Sequence, residues 1–199
     1  IPKPRPRAAI SDGKAALRRI IDQAPFSDEV DIWEASPLRI WDAPACHAAL
    51  ILSTLYAPDD LVFIGEKHQE GILGDTIRPV SEWISYFQGG GKTGPHIIPN
   101  PLTGIPGPKK SGDGETLRGD LTVKAYRYCV VEFDNLSRED QIKFWSAARL
   151  PIVALIDSGG KSIHAWLQVS KLDEVRTLDE WDEQIKVRLY EKLLIPLGV

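Results

Sequence analysis

Methionine is absent from the 199 residues, and cysteine and histidine are scarce, with two and four copies. A chain without Met that starts with Ile leads to the expectation of a fragment, or of modified residues that the sequence omits. Cys46 and Cys129 lie far apart, the second within an apolar run, so two reduced thiols are expected rather than a disulfide. The Cys and His residues show no zinc-ligand spacing. No apolar run is long enough to cross a bilayer, and the Pro/Arg-rich start, Ile1 to Arg7, has no hydrophobic leader core. The expected setting is therefore cytoplasmic, either nucleoid-associated or in a host cytoplasm, with no membrane partner. Excess positive charge is also lacking. The net charge of −4 argues against a broad electrostatic grip on nucleic acid. It leaves only local clusters, Lys3, Arg5, Arg7, Arg18 and Arg19 near the start and Lys109 with Lys110, whose plainer reading is solvated surface.

What is present suffices for a folded core: 43% of the residues are hydrophobic. Residues 1–10 read as an extended Pro/Arg tail or linker, and 11–199 as one domain of two lobes, 11–114 and 115–199. Ser11-Asp-Gly opens a helix to about Gln23 with Leu17, Ile20 and Ile21 on its buried side. Leu38 to Trp41 reads as a short strand, Ala45 to Tyr56 as a helix stopped by Pro58, and Leu61 to Ile64 as a strand. Pro79 opens a third helix through Phe87, closed by Gly89-Gly90-Gly91-Lys92-Thr93. Alternating strand and helix point to an α/β lobe. Neither Gly89–Thr93 nor Gly159–Ser162 is a phosphate-binding P-loop, because Tyr86 and Leu155 stand where its first glycine is required. His96 to Gly114 reads as a long turn-rich loop, and Glu115 to Asp120 as extended. Arg118 there suits a second phosphate or base contact, with an ion pair to Asp120 as the structural alternative. Asn100 is a further binding residue expected from the preceding loop.

The segment from Arg127 to Val169 carries the chemistry. Tyr128 to Phe133 is a short Val- and aromatic-rich run that reads as a buried strand. Glu132 and Asp134, two residues apart, then share a face and repel unless a cation lies between them. Mg²⁺ accepts such oxygen ligands, usually one or two carboxylates plus substrate phosphates. An acidic strand end running into solvent is the plain alternative. Ser137 reads as the cap of a helix with Asp140 at the capping-box position, Ile142, Trp145 and Ala148 on one face, and Pro151 beyond its end. Ile152 to Ile156 reads as a second strand, Asp157-Ser158-Gly159-Gly160 as a turn, and Ser162 to Val169 as a third strand with Ser162, His164 and Trp166 on one face. An amphipathic helix from about Leu178 to Leu194 follows. Trp145, Trp166 and Trp181 read as core. This order is the front of a ferredoxin-like or RNA-recognition-motif (RRM)-like unit, β-α-β-β-α, lacking its last strand. The fold class is α/β (α+β), with the first lobe packed on an RRM-like sheet where Glu132 and Asp134 face Lys161, Ser162 and His164. His164 as a lone strand histidine has a structural alternative, and Lys161 with the Gly159-Gly160 backbone can meet phosphate oxygens.

Over about Leu117 to Val199 the chain resembles the archaeo-eukaryotic primase superfamily, in particular the primase-polymerase domains of phages, plasmids and integrated elements. Glu132-x-Asp134 is similar to the metal-binding first motif of that family. Ser162-Ile163-His164, preceded by Asp157-Ser158-Gly-Gly-Lys161, is similar to the second. The resemblance implies a two-metal site holding Mg²⁺ or Mn²⁺ through Glu132 and Asp134. It also implies nucleoside triphosphate held by Ser162 and His164; Lys161 and Ser158 of the preceding turn, and Arg118 and Asn100 further upstream, are read beside them as further binding residues. The third acid of the family would follow Leu197-Gly198-Val199, so the catalytic lobe is expected to be incomplete at its C-terminus. Implied partners are nucleoside triphosphates, a single-stranded DNA template and primer, and a fused or associated helicase. The implied activity is template-directed nucleotidyl transfer. The alternatives are a non-catalytic nucleotide- or nucleic-acid-binding module and a metal-dependent phosphoesterase.

Overall fold

The computed structural model describes residues 7–38, 45–169 and 175–198. The expected Pro/Arg tail and the strand expected at Leu38 to Trp41 fall largely outside them. In chain order the helices are α1 (Arg7–Ile21), α2 (Glu29–Ala35), α3 (Ala45–Leu55), α4 (Val80–Gln88), α5 (Arg138–Ala147), α6 (Leu178–Trp181) and α7 (Ile195–Leu197). A wider, π-type helical stretch, Asp182–Leu194, joins α6 to α7. The strands are β1 (Leu61–Gly65), β2 (Ile77–Pro79), β3 (His96–Ile97), β4 (Gly107–Pro108), β5 (Glu115–Thr116), β6 (Tyr128–Val131), β7 (Ile152–Asp157) and β8 (Ile163–Gln168). The class is mixed α+β, with small antiparallel sheets.

The chain divides into two compact units, Ile40–Arg127 and Ile1–Arg39 with Tyr128–Val199. This division differs from the expected lobes of 11–114 and 115–199: the first helix belongs with the later sheet, and residues 115–127 belong with the central unit. Physical contacts account for both shifts. Helix α1 packs on α5 and α7, with Gly13, Leu17 and Ile21 on its buried side. Gly13 meets the backbone of Pro196 so closely that a Cβ there would lie 1.7 Å from the Pro196 carbonyl oxygen. Arg127, at the other boundary, forks onto Asp60 with Nη2 3.1 Å from Oδ1.

In the central unit, β1 lies between β2 and β3, antiparallel to both. Phe63, Ile77 and Leu102 form its buried cluster, and Trp83 of α4 donates its indole N–H to the Val62 carbonyl at 2.9 Å. The sheet is thus antiparallel rather than the alternating α/β arrangement expected. Pro79 stands at the N-cap of α4 and Gly89 at its C-cap. The stretch expected as a long turn-rich loop contains β3 and β4, and β4 pairs with β5. The run expected as extended to Asp120 turns into a short 3₁₀ helix, Asp120–Thr122, where the Thr122 hydroxyl accepts from the Gly119 N–H at 2.9 Å and occupies the turn.

In the other unit, β8 lies between β6 and β7, antiparallel to each, so β6 and β7 run parallel with α5 joining them. Helix α5 covers one sheet face through aromatic packing. The Phe133 ring centroid lies 4.8 Å from that of Phe144 and 5.3 Å from that of Trp145. Trp145 and Trp166 are buried as expected, whereas Trp181 is only half-buried. Helix α1 starts at Arg7, ahead of the expected Ser11, because Ala8 and Ala9 are strong helix formers. Helix α2 was not expected from periodicity. Its seven residues are held by a capping box in which Asp28 accepts from Val30 and Asp31 N–H groups.

Candidate functional site

The acids stand at the end of β6, which stops at Val131 rather than at the expected Phe133. The cause lies in the neighbouring strand, where β8 begins only at Ile163. Ser162 does not continue the ladder; its carbonyl closes the hairpin loop, accepting from the Ser158 N–H at 3.2 Å and the Ser158 hydroxyl at 2.7 Å. Its hydroxyl reaches across instead and donates to the Phe133 carbonyl at 3.3 Å. The second motif is thereby tied to the residue between Glu132 and Asp134.

The register Val131 with Ala165 places Glu132 opposite His164 by continuation. Their side chains meet, His164 Nε2 lying 3.0 Å from Glu132 Oε2. With the Glu132 oxygen as acceptor, His164 Nε2 is the donor of this contact. Both groups remain partly open to solvent, at 35% and 44% exposure, as is Asp134. His164 pairs with Ile156 of β7, and Trp166 with Val130 and Ala154, so the site lies on the sheet face away from Phe133 and α5.

The hairpin loop is shaped by its own side chains. Asp157 Oδ1 accepts from the Gly159 N–H at 2.8 Å, and Gly159 takes a φ of +76°, which suits glycine. The Arg138 guanidinium at the start of α5 holds Asp157 at 2.9 Å and Glu29 on its other side. Hydrogen bonding from Arg138 keeps the Asp157 and Glu29 carboxyls below their ordinary range. Lys161 and Ser158 are exposed on this loop.

One residue was missed by sequence reasoning. Gln141 of α5 is fully buried; its Nε2 donates to the carbonyls of Leu136 and Lys161, each at 3.0 Å, and its Oε1 accepts from the Ile163 N–H at 2.8 Å. The available signal was a lone amide on the same helical face as Phe144 and Trp145, at positions i, i+3 and i+4. Beside the acids, Asn135 and Leu136 line an open groove of about 800 Å³ together with Lys14, Leu17, Lys192 and Ile195.

Arg118 and Asn100 belong to the central unit, not to this one. The Arg118 guanidinium donates to the backbone carbonyls of Lys67 at 2.9 Å, Glu66 at 3.4 Å and Gln69, and lies 4.1 Å from the Phe63 ring centroid. Its partners are thus carbonyls and an aromatic face, not the Asp120 carboxylate weighed as its structural alternative. Burial lowers its pKa. Asn100 is buried, and its Oδ1 accepts from the Arg127 N–H at 2.7 Å, which fixes the chain entering β6.

At the strand end Glu132 lies against the His164 imidazole, and Asp134 is exposed two residues further on. No cluster of three or more His, Cys, Asp or Glu that could hold a metal occurs among the described residues. Two carboxylates fit a hard cation that arrives with phosphate oxygens completing its shell, rather than a closed protein cage. Comparisons with protein-family models, curated proteins and solved structures return no match.

Proposed function

We propose that this strand end is the metal–triphosphate site of a template-directed nucleotidyltransferase of the primase-polymerase type. The observation that carries the reading is the junction itself. Glu132 touches His164 at 3.0 Å while the Ser162 hydroxyl bonds to Phe133, so one acid of the first motif meets the hydroxyl and imidazole of the second at one sheet edge. The strand order, with the third strand between two parallel ones joined by a helix, matches the front of an RRM-like or ferredoxin-like unit and supports the same reading.

Glu132 and Asp134 would hold Mg²⁺ or Mn²⁺, whose part is charge stabilisation on the entering and leaving oxygens. The chain's own groups do the rest. Ser162 and Lys161 offer donors to triphosphate oxygens, and the Ser158–Gly160 backbone offers N–H groups. With Glu132 engaged by such a cation, His164 Nε2 would be left to donate to a phosphate oxygen. Substrates in this reading are nucleoside triphosphates and single-stranded DNA template with primer, with a helicase as associated partner and a cytoplasmic or nucleoid setting. Arg118 and Asn100 contribute by ordering the central unit.

The test is incorporation of labelled nucleoside triphosphates on a single-stranded template, with Mn²⁺ or Mg²⁺ and with or without primer. Product should require metal and disappear in Glu132→Ala and Asp134→Ala proteins that keep the wild-type circular dichroism spectrum. Metal-dependent synthesis retained by both variants would refute the assignment. The direct Glu132–His164 contact, which lets the two groups satisfy each other, favours a non-catalytic nucleotide-binding module as the second reading. That reading predicts triphosphate binding without product. A phosphoesterase would instead release fragments from nucleic acid without triphosphates.

A further inference from the structure

Gln141 joins three chain segments that the proposed site depends on. Its two amide protons go to Leu136, in the turn after Asp134, and to Lys161, in the loop between β7 and β8. Its oxygen takes the N–H of Ile163, the residue between Ser162 and His164. Two carbonyls and one N–H admit only one orientation of the amide, so donor and acceptor ends are fixed by partner chemistry. The side chain is completely buried between α5 and the sheet. An apolar residue of the same volume would leave three backbone groups without partners, each costly to bury unpaired.

We propose that Gln141 is a positioning residue that locks the Lys161–His164 loop onto the Glu132–Asp134 turn and so sets the affinity for the triphosphate group. This inference rests on the nucleotidyltransferase reading of the same site. Gln141 touches no substrate; it acts by holding the backbone from which Lys161, Ser162 and His164 project. Supporting residues of this kind are worth roughly 10–100-fold in the affinity or activity of the groups they orient.

The experiment compares wild type, Gln141→Met and Gln141→Glu for binding of a nucleoside triphosphate with Mn²⁺, read by calorimetry, together with amide hydrogen exchange of residues 158–163. The Met variant keeps the volume and removes all three bonds. The Glu variant keeps the acceptor for Ile163 and removes the amide protons that Leu136 and Lys161 receive. Expected is roughly tenfold or greater loss of triphosphate affinity in both, faster exchange at Ile163 in the Met variant, and an unchanged far-ultraviolet spectrum in at least the Glu variant. For the Glu protein, affinity relative to wild type should recover partly as pH falls and the carboxyl regains a proton to donate. A residue that merely fills volume would not produce that recovery. Wild-type binding matched by the folded variants would overturn the role of Gln141 alone. Absence of metal-dependent triphosphate binding by wild type would overturn the parent reading and this one with it.

Discussion

Asp60 shows how single residues decide the stability of the central unit. It is 1% exposed, takes both Arg127 Nη atoms, accepts the Ala57 N–H at 2.9 Å, and has Lys124 Nζ at 3.7 Å. Burial by itself pushes its carboxyl up; the Arg127 hydrogen bonds, the Ala57 N–H and the two cations overcome this and hold it below its ordinary value. A carboxyl depressed in the folded state stabilises that state above its unfolded pKa of about 4, and the contribution is lost as pH falls through the lower folded value. Asp60→Asn should therefore cost about 3 kcal/mol at pH 7, near the low end for a broken buried pair because Arg127 keeps some solvent contact. Urea melts at pH 7 and below pH 4 check this: the difference between wild type and variant should shrink in acid. Cys129 offers a second test at this scale. Burial raises its thiol to about 11, and the thiolate is the reactive form, so Cys129 in the folded protein should resist iodoacetamide at pH 8, read by peptide mapping, and react once unfolded in urea. Rapid alkylation of Cys129 in the native protein would contradict that burial. Of Cys46 only the helical backbone is described.

At the scale of elements, a very close approach of backbones lies where α1 meets α7. Alanine is a better helix former than glycine by about 1 kcal/mol, so propensity alone favours Gly13→Ala. The Pro196 carbonyl would lie 1.7 Å from the new Cβ, and overpacking of this kind costs about 1–3 kcal/mol. Expected is a net loss, seen as a melting temperature lower by about 2–4 °C per kcal/mol; a higher melting temperature would show that α7 does not sit against α1. The same elements show what local pattern can and cannot reveal. The Ser137 cap of α5 was legible, and its hydroxyl accepts from the Asp140 N–H at 3.1 Å. The runs that became β7 and β8 were legible too, because their apolar residues and the Asp157–Gly160 turn signal are local. The end of β6 was not, since it depends on Ser162 spending its carbonyl within the hairpin loop. Gly13 looked like a helix-start signal and is a contact point with a residue 183 positions later. Gln141 was passed over because a polar residue gains meaning on a buried face only when its long-range partners are known. Arg118 was read as a phosphate or base contact from its residue type and its place in the run leading to β6, and its carbonyl partners at 66–69 lie about fifty residues away in sequence.

Over the whole molecule, the net charge of −4 leaves little general attraction for nucleic acid, so the proposed activity depends on a metal ion to offset triphosphate charge at two open carboxylates. That dependence separates the site from an ordinary acidic strand end. Two carboxylates alone should hold Mn²⁺ weakly, and the triphosphate should tighten it by adding oxygen ligands. The measurement to make is Mn²⁺ affinity by electron paramagnetic resonance, with and without a nucleoside triphosphate, for wild type, Glu132→Ala and Asp134→Ala, after subtracting the binding of Mn²⁺ to free nucleotide. A shared metal–triphosphate site predicts tightening of at least about tenfold in wild type, as for a ligand set completed by substrate, and its loss in both variants. Equal Mn²⁺ affinity in all three proteins, with no response to triphosphate, would contradict it.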